Sequence, residues 1–260
     1  MTGTSGTFRA GPGGRALVTG ASFGVGAATA LALAHAGYEV AVTATRRANL
    51  DVTLEALAQT GGRIVPLELQ LEDEHSVAMA FIQAASALGG IDLLVNNAGV
   101  NLRKAAVDVT TAEWQRVMAA NVTGPFQLSQ LAARAWMTSG RPGSIVNIAS
   151  THGLMGAAER STYGISKGAM LQMTRMLAVE WAPHGIRVNA IAPGRMLTAS
   201  PSRSGTGNNP AYIQQMLTRI PLGRLATAEE VADAVVYLAS PAAISVTGHT
   251  LTIDGGLTAV

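Results

Sequence analysis

The chain has 260 residues, of which 48% are hydrophobic and 13% are charged, with a formal net charge of +2 and no cysteine. This length suits one α/β domain with a sizeable core, and the lack of cysteine excludes disulfides, thiolate nucleophiles and cysteine-ligated zinc. Lysine and arginine are scattered and the five histidines have no metal-like spacing, so we predict neither a nucleic-acid surface nor a metal site.

The first residues, 1–14, are rich in Gly, Thr and Ser and contain no continuous apolar run. They are predicted to be a flexible tail and not a secretory leader, followed by a single domain over residues 15–260. The most apolar stretch, residues 16–42, is interrupted by several glycines, so it indicates a strand, a loop, a helix and a strand instead of a membrane span. We therefore expect a cytoplasmic protein that does not bind membranes.

Short β-rich runs alternate with longer helical patterns along the chain. The predicted strands cover residues 15–19, 39–43, 63–69, 91–95, 144–149, 187–192 and 249–253. The predicted helices cover residues 25–36, 50–60, 74–88, 111–121, 125–138, 161–183 and 228–239. Parallel strands need such helical crossovers, so the pattern predicts a doubly wound Rossmann fold, an α/β domain with a seven-stranded parallel sheet flanked by helices.

One long stretch, residues 197–221, lacks a regular pattern. It carries Pro201, Gly205, Gly207 and Pro210, which interrupt helices and strands. A loop of this length in a compact domain is usually functional, so we predict a substrate lid.

Gly20, Gly24 and Gly26 lie in the sequence Thr-Gly-Ala-Ser-Phe-Gly-Val-Gly, between the first predicted strand and an alanine-rich helix. Glycine permits a tight turn and a close approach of the backbone to a ligand. The N-terminus of the helix offers N–H groups and partial positive charge to a pyrophosphate. The motif predicts a dinucleotide site, although its spacing differs from G-x-G-x-x-G, and a tight turn without a ligand is the alternative.

The end of the second predicted strand indicates which dinucleotide binds. It continues into Thr45, Arg46 and Arg47 and has no carboxylate that could bind the ribose hydroxyls. Because two guanidinium groups can bind a 2′-phosphate, NADP is predicted over NAD. The alternative is that both arginines are ordinary solvated charges.

Ser150, Tyr163 and Lys167 form the most specific pattern. Ser150 follows a predicted strand, and Tyr163 and Lys167 lie one turn apart on the same helical face. A phenol with an ordinary pKa of about 10 becomes an acid–base catalyst when nearby positive charge stabilises its phenolate. We expect Tyr163 to transfer the proton, Ser150 to hydrogen-bond the substrate oxygen, and Lys167 to tune the tyrosine and hold the nicotinamide ribose.

These motifs resemble those of the short-chain dehydrogenase/reductase family over nearly the whole chain. Residues 19–26 match its T-G-x-x-x-G-x-G, residues 96–99 its N-N-A-G, Ser150, Tyr163 and Lys167 its S and Y-x-x-x-K, and Pro193 with Gly194 its P-G. The resemblance implies an NAD(P)-dependent oxidoreductase. It also implies that Asn121 holds a water linked to Lys167, and that Thr198 contacts the nicotinamide carboxamide or the pyrophosphate.

The resemblance extends to a set of nucleotide contacts. Besides Tyr163 and Lys167, these are Gly20, Ser22, Phe23, Gly24, Val25, Gly26, Thr45, Arg46, Arg47, Gln70, Leu71, Asn97, Ala98, Gly99, Pro193, Gly194, Met196 and Thr198. The chain departs from the family pattern at Gln70 and Leu71, where an Asp-Val pair is usual, and at Phe23, where a small or basic residue is frequent. The departures affect the adenine site, not the chemistry.

The substrate is indicated less directly. Residues 100–104 resemble the sugar-acid dehydrogenases of the family, and Arg103, Lys104 and Arg195 could bind a carboxylate. His152 could line the same pocket, although a lone histidine is more often structural. We expect a sugar, sugar acid or related hydroxy compound; the alternatives are a 3-oxoacyl thioester reductase and a dinucleotide-binding regulator without turnover.

The predicted helices 125–138 and 161–183 are apolar on several faces, with Met170, Met173 and Met176 at helical spacing. One face can cover the sheet and another can pair with a second copy, as in the family's dimers and tetramers. A homo-oligomer is therefore expected, with a homotetramer or a dimer as the two possibilities.

Overall fold

Seven parallel strands form the central sheet of the computed structural model, which describes residues 13–196 and 210–260. They are β1 (Arg15–Val18), β2 (Glu39–Ala44), β3 (Ile64–Glu68), β4 (Leu93–Asn96), β5 (Gly143–Ile148), β6 (Ile186–Pro193) and β7 (Thr250–Ile253). Their order is β3-β2-β1-β4-β5-β6-β7. All residues of β4, β5 and β6 are buried, as parallel strands covered on both faces should be. The predicted doubly wound α/β fold is confirmed.

Helices cover both faces of this sheet. They are α1 (Gly24–His35), α2 (Asp51–Ala58), α3 (Glu74–Leu88), α4 (Thr111–Met118), α5 (Gly124–Ser139), α6 (Ser161–Trp181), α7 (Pro210–Leu217) and α8 (Ala228–Ala239). One apolar cluster packs α1 and α8 on one face, and a second packs α3, α5 and α6 on the other. The strand order reverses between β1 and β4, which places a ligand crevice at their carboxyl ends.

The predicted break between the helices at residues 121 and 125 is wrong. A π-helical turn, Ala119–Thr123, joins α4 to α5 without interruption. Pro125 is the second residue of α5 and lies directly after this wide turn, and the Gly-Pro pair does not end the helix. Such wide turns occur often at functional sites, and this one contains Asn121, which is fully buried.

Part of the segment predicted to be irregular is helical. Residues 210–217 form α7, which begins at Pro210, a residue well suited to a first helical position. The first part of the predicted lid, residues 197–209, which includes Thr198, lies outside the described residues. Met196 forms a parallel bridge with Ala226, so these two residues, which flank the predicted lid, are adjacent.

Candidate active site

The glycine turn after β1 is bonded to the loop after β4. The Thr19 hydroxyl accepts hydrogen bonds from the main-chain N–H groups of Asn97 and Ala98, each at 3.0 Å. The Asn97 side-chain amide donates to the carbonyl oxygens of Thr19 and Gly20 at 2.8 and 3.0 Å. The two loops that were predicted to contact the nucleotide therefore form one rigid unit at the carboxyl edge of the sheet.

The N-terminus of α1 is open to an anion. Phe23 is the N-cap residue and provides no side-chain cap, and the first turn carries no acidic residue. The unpaired N–H groups and the positive end of the helix dipole are therefore available to a phosphate. Gly20 and Gly24 have φ values of 68° and 60°, which favour glycine. These features fit the pyrophosphate of a dinucleotide.

Gly26 permits the tightest packing in this turn. A Cβ atom at residue 26 would lie 2.2 Å from the Gly20 carbonyl oxygen and 2.5 Å from the Asn97 amide nitrogen. The Gly26→Ala variant should lose about 2 kcal/mol in the free energy of unfolding and bind nucleotide at least about tenfold more weakly, since the turn must move. Denaturant unfolding and a fluorescence titration measure both quantities.

Gly62→Ala is the matched control for this prediction, because a Cβ atom there would meet only atoms 3.6 Å away or farther. It should leave nucleotide affinity unchanged. A Gly26→Ala protein with wild-type stability and affinity would contradict the importance of this contact.

The end of β2 carries the predicted 2′-phosphate contacts. Thr45, Arg46 and Arg47 are all exposed there. The main-chain N–H of Arg47 donates to a carboxylate oxygen of Glu68 at 2.8 Å, and Gln70 donates to the Thr45 carbonyl at 2.9 Å. Glu68 is not among the predicted site residues, although strand pairing places it beside Ala44 at this edge.

Leu71 does not present its side chain to this surface. It is 7% exposed and packs in the core, where a Cβ atom at Gly124 would lie 2.9 Å from the Leu71 Cβ. Gln70 is exposed. Of the two residues predicted near the adenine, Gln70 therefore has the accessible side chain.

Asn121 joins the loop after β4 to α6. Its side-chain oxygen accepts from the Val100 N–H at 2.7 Å, and its amide donates to the Val100 carbonyl and the Ser166 hydroxyl at 2.8 and 2.9 Å. Ser166 in turn donates to the Tyr163 carbonyl at 2.7 Å. Asn121 thus supports the helical turn that carries Tyr163. Ser166 is also absent from the predicted site residues, although its spacing of three residues from Tyr163 could have revealed it.

Two glycine contacts bring Ser150 to α6. Ser150 follows β5 and begins a short 3₁₀ turn, Thr151–Gly153. A Cβ atom at Gly153 would lie 2.8 Å from the Lys167 carbonyl carbon, and one at Gly164 would lie 2.9 Å from the His152 carbonyl oxygen. Because neither glycine has a side chain, the 3₁₀ turn packs directly against the helix that carries Tyr163 and Lys167.

Lys167 lies buried beside Tyr163. Its ammonium donates to the Ile148 carbonyl at 2.8 Å and lies 5.8 Å from the centre of the Tyr163 ring. Burial lowers the pKa of Lys167 from 10.5 to about 8. A Cβ atom at Gly99 would lie 3.7 Å from the Lys167 nitrogen, so the loop after β4 also reaches this amine. The predicted catalytic residues are therefore brought together.

The rim of the crevice contains carboxylates that pair with the predicted cations. Arg103 contacts Glu159 at 2.6 Å, and Lys104 contacts both oxygens of Glu113 at 2.9 and 3.0 Å. Hydrogen bonds from Thr110 and Lys104 lower the pKa of Glu113 to about 2. Arg103 and Lys104 each have a carboxylate partner already, so their binding of a substrate carboxylate stays a prediction.

The remaining predicted contacts follow β6. Pro193 ends that strand, and the Gly194 N–H donates to the Ile253 carbonyl at 2.8 Å. A Cβ atom at Gly194 would lie 2.7 Å from the Asp254 Cβ, which explains the need for glycine. Arg195 is half-buried beside this turn. No group of three potential metal ligands lies together within residues 13–196 and 210–260.

The chain is similar to several known proteins. A family model described as enoyl-(acyl carrier protein) reductase matches residues 20–258. The cis-4-hydroxycyclohexanecarboxylate dehydrogenase of Sinomonas cyclohexanicum is 41% identical over 247 residues, which cover 94% of this chain and 96% of that protein.

Two solved structures are also similar. A candidate short-chain alcohol dehydrogenase from Sinorhizobium meliloti superposes with a TM-score of 0.91 at 41% identity, covering 95% of this chain and 97% of the other. A candidate 2-deoxy-D-gluconate 3-dehydrogenase from Agrobacterium tumefaciens, which contains bound NADP, has a TM-score of 0.88 at 38% identity, covering 96% and 98%.

Proposed function

The chain belongs to the short-chain dehydrogenase/reductase family of oxidoreductases, and on this premise we propose that it transfers a hydride between a nicotinamide nucleotide and a secondary alcohol or its ketone. The proposal depends on one observation: the turn that begins at Ser150 packs against the helix that carries Tyr163 and Lys167, at the same sheet edge as the open N-terminus of α1. Turnover of an alcohol and ketone panel, followed by the absorbance of the reduced nucleotide, tests it.

The residues divide the chemistry among them. The nicotinamide, when bound, supplies the carbon that accepts or donates the hydride. Tyr163 takes the alcohol proton during oxidation and returns it during reduction, since its phenol is the acid–base group of the site. Ser150 donates a hydrogen bond to the substrate oxygen, where negative charge develops. The positive charge of Lys167 stabilises the negative charge that forms on the Tyr163 oxygen.

We infer a preference for NADP from the exposed side chains after β2. Arg46 and Arg47 offer two guanidinium groups, and the Glu68 carboxylate is already bonded to the Arg47 main chain. A 2′-phosphate would gain charge-assisted hydrogen bonds there that a hydroxyl cannot make. NADP in the Agrobacterium tumefaciens structure supports the same inference.

Replacing both Arg46 and Arg47 with alanine should lower kcat/KM for NADPH about 100-fold, as expected for the loss of about two such hydrogen bonds. The value for NADH should change less than about threefold. Steady-state kinetics with both nucleotides measure these changes. The control is Arg63→Ala, because Arg63 is exposed and directly precedes β3, at the amino ends of the strands. A wild-type protein that clearly prefers NADH would refute the proposal.

For the substrate we propose a hydroxylated ring or sugar acid. Two of the similar proteins are a cis-4-hydroxycyclohexanecarboxylate dehydrogenase and a candidate 2-deoxy-D-gluconate 3-dehydrogenase, whose names denote compounds of these kinds. The alternative is a 3-oxoacyl thioester. A panel of aldonates, hydroxycyclohexanecarboxylates, polyols and acetoacetyl thioesters separates them, because turnover of the thioester alone removes the hydroxy-acid proposal.

We also propose that the protein is a cytoplasmic homo-oligomer, either a dimer or a tetramer. Phe126 of α5 and Met176 of α6 border an apolar groove and are 37% and 59% exposed. A second copy could cover this surface, and sedimentation equilibrium tests its presence. No helix in the described part of the chain is long and apolar enough to cross a membrane.

A further inference from the structure

The hydroxyl of Ser150 makes two contacts with one neighbour, His152. The His152 main-chain N–H donates to the Ser150 oxygen at 3.2 Å. The imidazole Nδ1 of the same residue lies 3.3 Å from that oxygen. Ser150 itself is 7% exposed and adopts an extended backbone conformation at the start of the 3₁₀ turn. The hydrogen bonding of this hydroxyl is therefore governed largely by His152.

The imidazole ring also contacts the catalytic tyrosine. The rings of His152 and Tyr163 have centres 6.0 Å apart with an angle of 66° between their planes, which is an edge-to-face contact. The His152 carbonyl oxygen lies against Gly164, the residue after Tyr163. Backbone packing and the tyrosine ring together fix the position of the imidazole beside the Ser150 hydroxyl.

A serine hydroxyl has one hydrogen and two acceptor positions. One acceptor position is taken by the main-chain N–H of His152. If Nδ1 carries a proton, it donates to the second acceptor position of the Ser150 oxygen. The hydroxyl hydrogen then points away from His152. If Nδ1 lacks a proton, it attracts that hydrogen, which must then be released before it can reach a substrate oxygen. The two tautomers therefore have opposite effects on Ser150.

We propose that His152 is a positioning residue whose protonated Nδ1 donates to the Ser150 oxygen, so that the single hydrogen of Ser150 faces the substrate. The donated hydrogen bond also polarises the hydroxyl and makes it a stronger donor. The sequence suggested only that His152 lines the substrate pocket, whereas this inference gives it a role in orienting Ser150. The kinetic test of the inference rests on the proposed hydride transfer.

Three substitutions at His152 separate the role of Nδ1 from that of ring shape. Asparagine places an amide near the Nδ1 position, glutamine reaches the Nε2 position, and phenylalanine keeps the edge contact with Tyr163. His152→Phe and His152→Gln should lower kcat about tenfold, the effect of one lost hydrogen bond. His152→Asn should stay within about threefold of the wild type, and KM for the nucleotide should not change.

A double-mutant cycle tests whether His152 acts through Ser150. In a Ser150→Ala background, His152→Phe should lower the remaining turnover less than about twofold. His184→Phe, an exposed histidine elsewhere on the surface, is the control and should have wild-type kcat. Equal losses in both backgrounds, or rescue by glutamine as well as by asparagine, would overturn the proposal.

A second measurement does not require turnover. Nitrogen-15 NMR of histidine-labelled protein at about pH 8, above the ordinary histidine pKa of about 6.5, reports which ring nitrogen carries the proton. The His152 signal, identified by its loss in His152→Phe, should show a proton on Nδ1. A proton on Nε2 with a bare Nδ1 would refute the inference, whereas lack of turnover with every substrate would refute only the proposed function.

Discussion

The Tyr163→Phe protein is expected to turn over about 10³-fold more slowly than the wild type while binding nucleotide with unchanged affinity. The substitution removes only the hydroxyl that carries the proton. The ring remains, so its contacts with His152 and with the Lys167 ammonium persist. Tyr163 is half-buried, so the smaller side chain should not disturb the fold.

Single-turnover kinetics and a nucleotide titration of the purified variant measure this effect. Tyr237→Phe makes the same chemical change on α8, where the side chain is 45% exposed, and should have wild-type kcat. If Tyr163→Phe keeps kcat within about tenfold of the wild type, Tyr163 is not the acid–base group.

Lys167→Met is expected to stabilise the nucleotide-free protein while it lowers kcat about 10²- to 10³-fold. Lys167 is 4% exposed, and burial lowers its pKa to about 8. At ~1.4 kcal/mol per pH unit, charging this amine at neutral pH costs the fold about 3 kcal/mol. Methionine has no such cost but leaves the Ile148 carbonyl without its donor, so the net gain should be about 1–2 kcal/mol.

The sign of the pH dependence follows from the same shift. Between the folded pKa of about 8 and the ordinary value of 10.5, the unfolded chain holds more protons than the folded protein. The free energy of unfolding of the wild type should therefore rise with pH across this window, and this component should be absent in Lys167→Met. Urea unfolding at about pH 7 and at the two ends of the window measures it.

Lys104→Met is the matched control, because the Lys104 ammonium is partly exposed and paired with Glu113. It should give no stabilisation. A Lys167→Met protein that is less stable than the wild type at neutral pH would show that other contacts in the fold compensate the buried charge. In that case Lys167 would contribute to the fold as well as to the chemistry.

Sequence patterns located the regular elements where capping residues mark their ends. The bounds of α3 and α8 agree with the prediction because Asp73 and Thr227 cap their first turns and Gly89 ends α3. The seven strands were equally predictable, since a sheet covered on both faces requires continuous apolar runs.

Contacts between distant segments could not be predicted in this way. The continuity of α4 and α5 depends on a π-helical turn whose Asn121 is bonded to Val100 and Ser166. Arg103 pairs with Glu159, which lies 56 residues away in the sequence. Local sequence periodicity contains no information about such pairs. The pairing of Arg103 and Lys104 with carboxylates is therefore seen only in the three-dimensional structure.

The candidate catalytic residues were more predictable than their surroundings. The spacing of Tyr163 and Lys167 fixes them on one helical face, and Ser150 lies two residues after a buried strand. That His152 would bond the Ser150 hydroxyl could not be derived, because it depends on the conformation of a three-residue turn. The conformation of such a turn is set by packing. Here Gly153 of the turn packs against α6, and Gly164 of α6 packs against the turn.

Transfer of an isotopic label tests the central claim most directly. The protein would be incubated with NADPH that carries deuterium at both C4 positions of the nicotinamide and with the ketone form of a hydroxy acid, and the product alcohol would be analysed by mass spectrometry. We predict one deuterium on the carbinol carbon of the product, transferred by the wild type and about 10³-fold more slowly by Tyr163→Phe. A product alcohol without deuterium, or equal rates for the two proteins, would contradict direct hydride transfer assisted by Tyr163.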